Sequence, residues 1–149
     1  MIVREALPSD RDTLLDIWLR SVKATHTFLT DGDLQTLVPV VRDEALVPLE
    51  LWVICADAGT AAGFIGLSGP RVEALFIAPE WFGRGCGTLL LDHARRLKGA
   101  LSTDVNEQNT DALRFYLTRG FTVAGRSPVD GQGNPFPLLH LRMERSQAS

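Results

Sequence analysis

Sulfur is scarce in this chain. Two cysteines in 149 residues, Cys55 and Cys86, are too few for a disulfide framework. No Cys/His spacing resembles a zinc site, so no metal is expected. No apolar run approaches the ~20 residues of a membrane span. The start Met1-Ile2-Val3-Arg4-Glu5 lacks the apolar stretch of a signal peptide. A cytoplasmic location without a membrane partner is therefore expected. Excess positive charge is also missing: a net charge of −3 provides no global field to draw nucleic acid, and none is expected as partner. An anionic ligand would have to be held by local dipoles. Repeats and low-complexity runs are absent too. What is present, 45% hydrophobic and 22% charged residues, suits one globular domain over 1–149, monomeric or homodimeric.

The chain reads as β-α-α-β-β-β-α-β-α-β-β. A strand over Met1–Ala6 precedes a helix with Ser9 as N-cap, whose buried face is Leu14, Leu15, Trp18 and Val22. A second helix begins at Asp31 or Asp33, with Pro39 an obstacle within or beside it. Strands follow over Leu51–Ala56, Ala62–Ser68 and Val72–Ala78, with Cys55 in the core. A helix spans Gly87–Lys98, a strand Leu101–Val105, and a helix Asn109–Arg119 ends at Gly120. Two strands, Phe121–Gly125 and Pro137–Met143, flank a turn over Asp130–Pro135. A block of strands followed by strand–helix–strand predicts a mixed α/β (α+β) sheet with helices on both faces.

The most specific local feature is a strand–turn–helix over Val72–Leu91. Its turn is Gly83-Arg84-Gly85-Cys86-Gly87, followed by Thr88. A helix N-terminus offers unpaired N–H groups and partial positive charge, and glycines let that backbone approach a phosphate. Arg84 and Thr88 could add contacts to phosphate oxygens. The same residues also suit an ordinary glycine-rich turn. A Walker loop would need a lysine before Thr88, and the glycine spacing and the preceding strand block do not fit a Rossmann unit. The second feature is Asn106-Glu107-Gln108-Asn109, Ala112, Phe115-Tyr116 and Gly120-Phe121, in which Asn109 caps a helix.

Together these segments resemble the GNAT superfamily of N-acetyltransferases, most sharply from Val72 to Phe121. Further residues are similar to the small bacterial YjaB-type branch: Ile17-Trp18, Arg20-Ser21-Val22, Ala24-Thr25-His26, Phe28-Leu29, Ala74–Ile77, Val105–Asn109, Gly125–Ser127 and Pro137–Leu139. One departure is Phe82, which stands where the family turn carries Gln or Arg. The resemblance implies a GNAT-like, mostly antiparallel sheet of about seven strands. It also implies direct acetyl transfer from acetyl-CoA to a primary amine of a small molecule or protein. A non-catalytic acyl-CoA sensor is the alternative.

Roles follow from the same resemblance. Strand residues Leu75, Phe76 and Ile77 would pair with the pantetheine arm, and a main-chain N–H of Leu75 or Phe76 would face the thioester oxygen. The amides of Phe82, Gly83, Arg84, Gly85, Cys86, Gly87 and Thr88 would hold the diphosphate, and Asn109 would hold the cofactor by its side-chain amide. Tyr116 would be the general acid. Cys86 is packing or a backbone donor, not a nucleophile. For the general base two residues stand open, Glu73 on the strand and His26 at the first helix end. The acceptor would meet Trp18, Ser21, Thr25, His26, Phe28 and His140, although Trp18 also fits the core pattern. Arg95, Arg96 and Lys98 read as a solvated helix face.

Overall fold

The computed structural model describes residues 1–26, 29–131 and 133–143. Phe28 lies outside them. Seven strands join in the order β1-β2-β3-β4-β5-β7-β6. They are β1 (Ile2–Glu5), β2 (Glu50–Cys55), β3 (Ala61–Ser68), β4 (Arg71–Ile77), β5 (Ser102–Asn106), β6 (Phe121–Ser127) and β7 (Leu138–Met143). The helices are α1 (Arg11–Thr25), α2 (Asp31–Val40), α3 (Cys86–Lys98) and α4 (Thr110–Leu117). The element order read from the sequence holds, with boundaries shifted by a few residues.

The chain forms two compact units: residues 1–68 with 73–93, and 69–72 with the chain from 94 onward. In the first, β1, β2 and β3 pair antiparallel. Leu14, Ile17, Trp18 and Val22 bury one stripe of α1 among Val53, Phe64 and Ala74. Gly63 in β3 cannot carry a side chain: a Cβ there would lie 2.5 Å from Ile77 Cδ1 and 2.8 Å from the Phe76 carbonyl oxygen. That close approach seats the C-terminal half of β4.

One expectation about the helices needs correction. Ser9 is not the cap of α1. It lies in a short 3₁₀ turn, Pro8–Asp10, and Asp10 does the local work. The Asp10 carboxylate accepts the Leu7 N–H at 2.7 Å and pairs with Arg4 at 2.8 Å. In α2, Pro39 stands inside the helix near its end. The chain then widens into a π-type turn, Val41–Ala45, rather than breaking.

In the second unit β5, β7 and β6 form an antiparallel ladder. The parallel register between β4 and β5 is Arg71↔Ser102 and Val72↔Thr103. Helix α4 ends at Leu117, two residues earlier than Arg119, and Gly120 at φ 93° carries the reversal into β6.

Candidate active site

The glycine turn passes through left-handed backbone conformations. Gly83 and Gly85 sit at φ 72° and 82°, conformations that L-residues with side chains rarely adopt. A Cβ at either would meet nothing within 4 Å, so the requirement is conformational and the space above the turn is open. The α3 ladder starts with Leu89 N–H donating to the Gly85 carbonyl at 3.0 Å. The amides of the turn therefore sit at the positive end of α3. Arg84 is exposed, with its guanidinium 5.1 Å from the Trp81 ring centroid. Phe82 is exposed and Thr88 half-buried. Cys86 is the first residue of α3 and is buried, its Sγ 3.6 Å from Met1 Sδ. Burial pushes its thiol pKa up, away from the reactive thiolate.

On β4, Val72 and Ala74 are buried, Glu73 is exposed, and Leu75, Phe76 and Ile77 are half-buried. A groove of about 510 Å³ opens here, with apolar walls including Trp18, Leu46, Leu49 and Phe76 and two carboxylates, Glu44 and Glu73. The groove brings together Trp18, expected at the acceptor, and Glu73, expected as a base. Ser21, Thr25, His26 and His140 do not line the groove. Ser21 is only 5% exposed, so its hydroxyl is packed inside rather than presented to an acceptor. Thr25 Oγ1 donates to the Ser21 carbonyl at 2.8 Å and lies 2.8 Å from His26 Nδ1. A hydroxyl has one proton, so Nδ1–H is the donor to Oγ1 and the lone pair belongs to Nε2. Burial lowers the His26 pKa, keeping the ring neutral.

In the second unit, Asn109 caps α4: its Oδ1 accepts the Ala112 N–H at 3.1 Å. That bond uses the carbonyl oxygen and not the amide Nδ2. Tyr116 is buried, edge-on to Phe115 and Phe121 with centroids at 5.3 and 5.1 Å. Burial raises its phenol pKa to about 12, against a side-chain hydrogen bond with Thr103 that lowers it. Thr103 itself donates to the Val72 carbonyl at 2.9 Å. Next along β5, Asp104 accepts from His140 Nδ1 at 2.7 Å and pairs with the Arg71 guanidinium. Burial pushes the Asp104 carboxyl pKa up, but the His140 and Arg71 hydrogen bonds outweigh it and hold the pKa below its ordinary value. His140 Nε2 is 2.7 Å from Ser127 Oγ.

Glu44, Thr103, Asp104 and Ser127 were not singled out from the sequence. Thr103 left one trace, a polar residue on the alternating buried face of Leu101 and Val105. The partners of His140 left none, because β-register joined them.

A family model described as Acetyltransferase (GNAT) domain matches residues 48–123. The peptidyl-lysine N-acetyltransferase YjaB of Salmonella typhimurium is 44% identical over 139 residues, covering 93% of this chain and 95% of that protein. The apo-form solution structure of YjaB from Escherichia coli matches with TM-score 0.86 at 40% identity, over 98% of this chain and 100% of that one. The PaiA N-acetyltransferase of Thermoplasma acidophilum, solved with coenzyme A, matches with TM-score 0.80 at 20% identity, over 96% and 98% of the two chains, a likeness of fold. Among the described residues no helix is long and apolar enough to cross a membrane.

Proposed function

The chain belongs to the GNAT acetyltransferase family and is an acetyl-CoA-dependent N-acetyltransferase; from that premise we propose that its acceptor is the ε-amine of a lysine in a protein. The observation that carries this is the groove of Glu44, Glu73, Trp18, Leu46, Leu49 and Phe76. A lysine side chain is an aliphatic stem ending in a cation. Apolar walls with two carboxylates match both parts. The relative named peptidyl-lysine N-acetyltransferase acts on the same chemistry.

On the donor side, the amides from Phe82 to Thr88 would hold the diphosphate, and the open space over Gly83 and Gly85 fits that use. Arg84 adds a positive charge beside them. Leu75, Phe76 and Ile77 would take the pantetheine arm as a neighbouring strand, with the N–H of Leu75 or Phe76 facing the thioester oxygen. Asn109 has its Nδ2 to donate. Acetyl-CoA supplies the activated acyl group and a thiol leaving group.

Tyr116 acts on the leaving thiolate as a hydrogen-bond donor. Its phenol pKa near about 12 lies ~3.5 units above a free thiol, so full proton transfer would run uphill by about 5 kcal/mol. Donation without transfer stabilises the thiolate and costs no such step. Glu73 supplies counter-charge to the incoming ammonium. A lysine ammonium with pKa ~10.4 must still lose a proton before its nitrogen can attack. Glu73, a carboxylate of the groove, would accept it directly or through water.

Thiol release measured over lysine peptides, free amino acids and simple alkylamines tests the reading. Lysine peptides should be preferred, and Glu73→Gln with Glu44→Gln should raise KM for them. Tight acetyl-CoA binding with no thiol released from any amine would favour a non-catalytic acyl-CoA sensor.

A further inference from the structure

A carboxylate stands close to the turn that would hold an anion. Glu80 is exposed and lies three residues before Gly83. A bare negative charge there would repel a diphosphate. Arg20 of α1 keeps it from being bare: a single nitrogen, Nη1, lies 2.6 Å from both carboxylate oxygens of Glu80. Nε of the same guanidinium donates to Asp16 at 2.8 Å, one helical turn back. We propose that Arg20 is a positioning residue for acetyl-CoA, which acts through Glu80 to hold the upstream end of the glycine turn and so raises the affinity for the diphosphate. The proposal rests on the donor-side reading above, in which the amides of the turn hold that group.

Glycine loses more conformational freedom on ordering than any other residue. A Cβ at Gly83 or Gly85 would meet nothing within 4 Å, so neighbouring side chains do not wall these two positions in. The shape of the turn therefore depends on its two ends. Downstream it runs into α3. Upstream it leaves a 3₁₀ turn, Pro79–Trp81, which carries Glu80. That turn is anchored on either side of Glu80. Buried Ala78 donates its N–H to the Ala62 carbonyl of β3 at 2.8 Å, and the Trp81 N–H donates to the Ala78 carbonyl at 2.8 Å. Trp81 packs against the same core as Ile17 and Trp18 of α1. The Arg20–Glu80 pair adds a polar tie between the same two elements. A turn already held in its binding shape loses less freedom when the ligand arrives, which raises affinity.

The charge of the pair and its position can be separated. The Arg20 side chain is 39% exposed and that of Glu80 54%, so water screens the pair and its effect on affinity stays within about five-fold. Hydrogen bonding to Arg20 holds the Glu80 carboxyl pKa below its ordinary value, so the pair is ionised at neutral pH. The two charges lie 2.6 Å apart, and their opposite fields largely cancel at the turn. Replacing both residues with glutamine keeps the net charge at −3 and removes the tie. A loss of acetyl-CoA affinity in that variant is then a loss of position and not of attraction.

Calorimetric titration with acetyl-CoA tests this on the wild type, Arg20→Gln/Glu80→Gln, Arg20→Lys and Gly85→Ala. The double variant should bind ~3-fold more weakly, with thiol release at saturating acetyl-CoA within about 1.5-fold of the wild type. Arg20→Lys should bind within about 1.5-fold of the wild type, because one nitrogen makes both contacts to Glu80 and an ammonium can take its place. A double variant that binds like the wild type, even with a lowered melting temperature, overturns the proposal. So does one whose turnover falls as far as its affinity, or an Arg20→Lys enzyme as weak as the double variant. Gly85→Ala tells this proposal from the reading beneath it. If it weakens binding while the double variant does not, the positioning role alone fails. If it binds like the wild type, the turn is not the grip, and the positioning role falls with the donor-side reading.

Discussion

The Gly83–Gly87 turn and the β5–β7–β6 ladder handle charge by opposite means. The turn uses main chain: two glycines at positive φ and a helix start, with Arg84 the one charged side chain among its five residues. The ladder uses side chains, with Arg71, Asp104, Ser127 and His140 bonded in series across four strands. Backbone groups are fixed once the turn folds and cannot change protonation. Imidazole and carboxylate groups can. A site that grips a constant anion suits the first construction, and a bonded side-chain network that holds strands in register suits the second.

The largest effect should come from a side chain outside both, Tyr116 of α4. Tyr116→Phe keeps the ring between Phe115 and Phe121 and removes only the hydroxyl. Turnover should fall ~100-fold, the scale of a lost transition-state donor, with acetyl-CoA affinity within about two-fold. Stopped-flow thiol release and calorimetry measure the two quantities. Unchanged turnover would remove Tyr116 from the chemistry and confine it to the core.

A backbone substitution should show the reverse pattern. Gly85→Ala places a Cβ in open space at φ 82°, so its cost is conformational strain and not a clash. That strain is ~1–2 kcal/mol, which is about ten-fold in acetyl-CoA affinity if the turn relaxes to avoid it. Turnover at saturating acetyl-CoA should hardly move. Equal losses in affinity and turnover would break the division between a turn that grips and a side chain that reacts.

How far each region could be foreseen follows from the same contrast. The turn was legible because its residues are contiguous: glycines between a strand and a helix announce themselves locally. Asn109 and Gly120 were legible for the same reason, as a cap and a reversal. The ladder was not, because Asp104 and His140 are brought together by register across 36 residues, which no local pattern encodes. Glu44 was missed because nothing local announces the π-type turn that follows Pro39 and carries Glu44 to the groove. Ser9 was misread because a nearby acid, Asp10, won the local hydrogen bonds through its salt bridge to Arg4.

Arg84 is the side-chain exception within the turn, so its removal measures how little that construction depends on side chains. An exposed charge contact is worth up to ~1 kcal/mol. Arg84→Ala should weaken acetyl-CoA binding by a few-fold at most, less as salt rises. A loss beyond that of Gly85→Ala would mean the grip belongs to the guanidinium.

The smallest shift concerns Tyr116 and Thr103. Tyr116 is the sole tyrosine, so absorbance near 295 nm reports its ionisation alone. The midpoint should lie at about 12, above the ordinary value of 10. A raised folded pKa means the stabilising contribution is complete below the unfolded value and is lost as pH rises toward the folded one. Wild-type stability should therefore fall between pH 10 and 12, by up to about 3 kcal/mol, and Tyr116→Phe should abolish that fall. The Thr103 hydrogen bond favours the tyrosinate. Thr103→Val should move the midpoint upward by less than about one unit and change turnover only a few-fold. A downward shift would mean that Thr103 stabilises the phenol more than the tyrosinate.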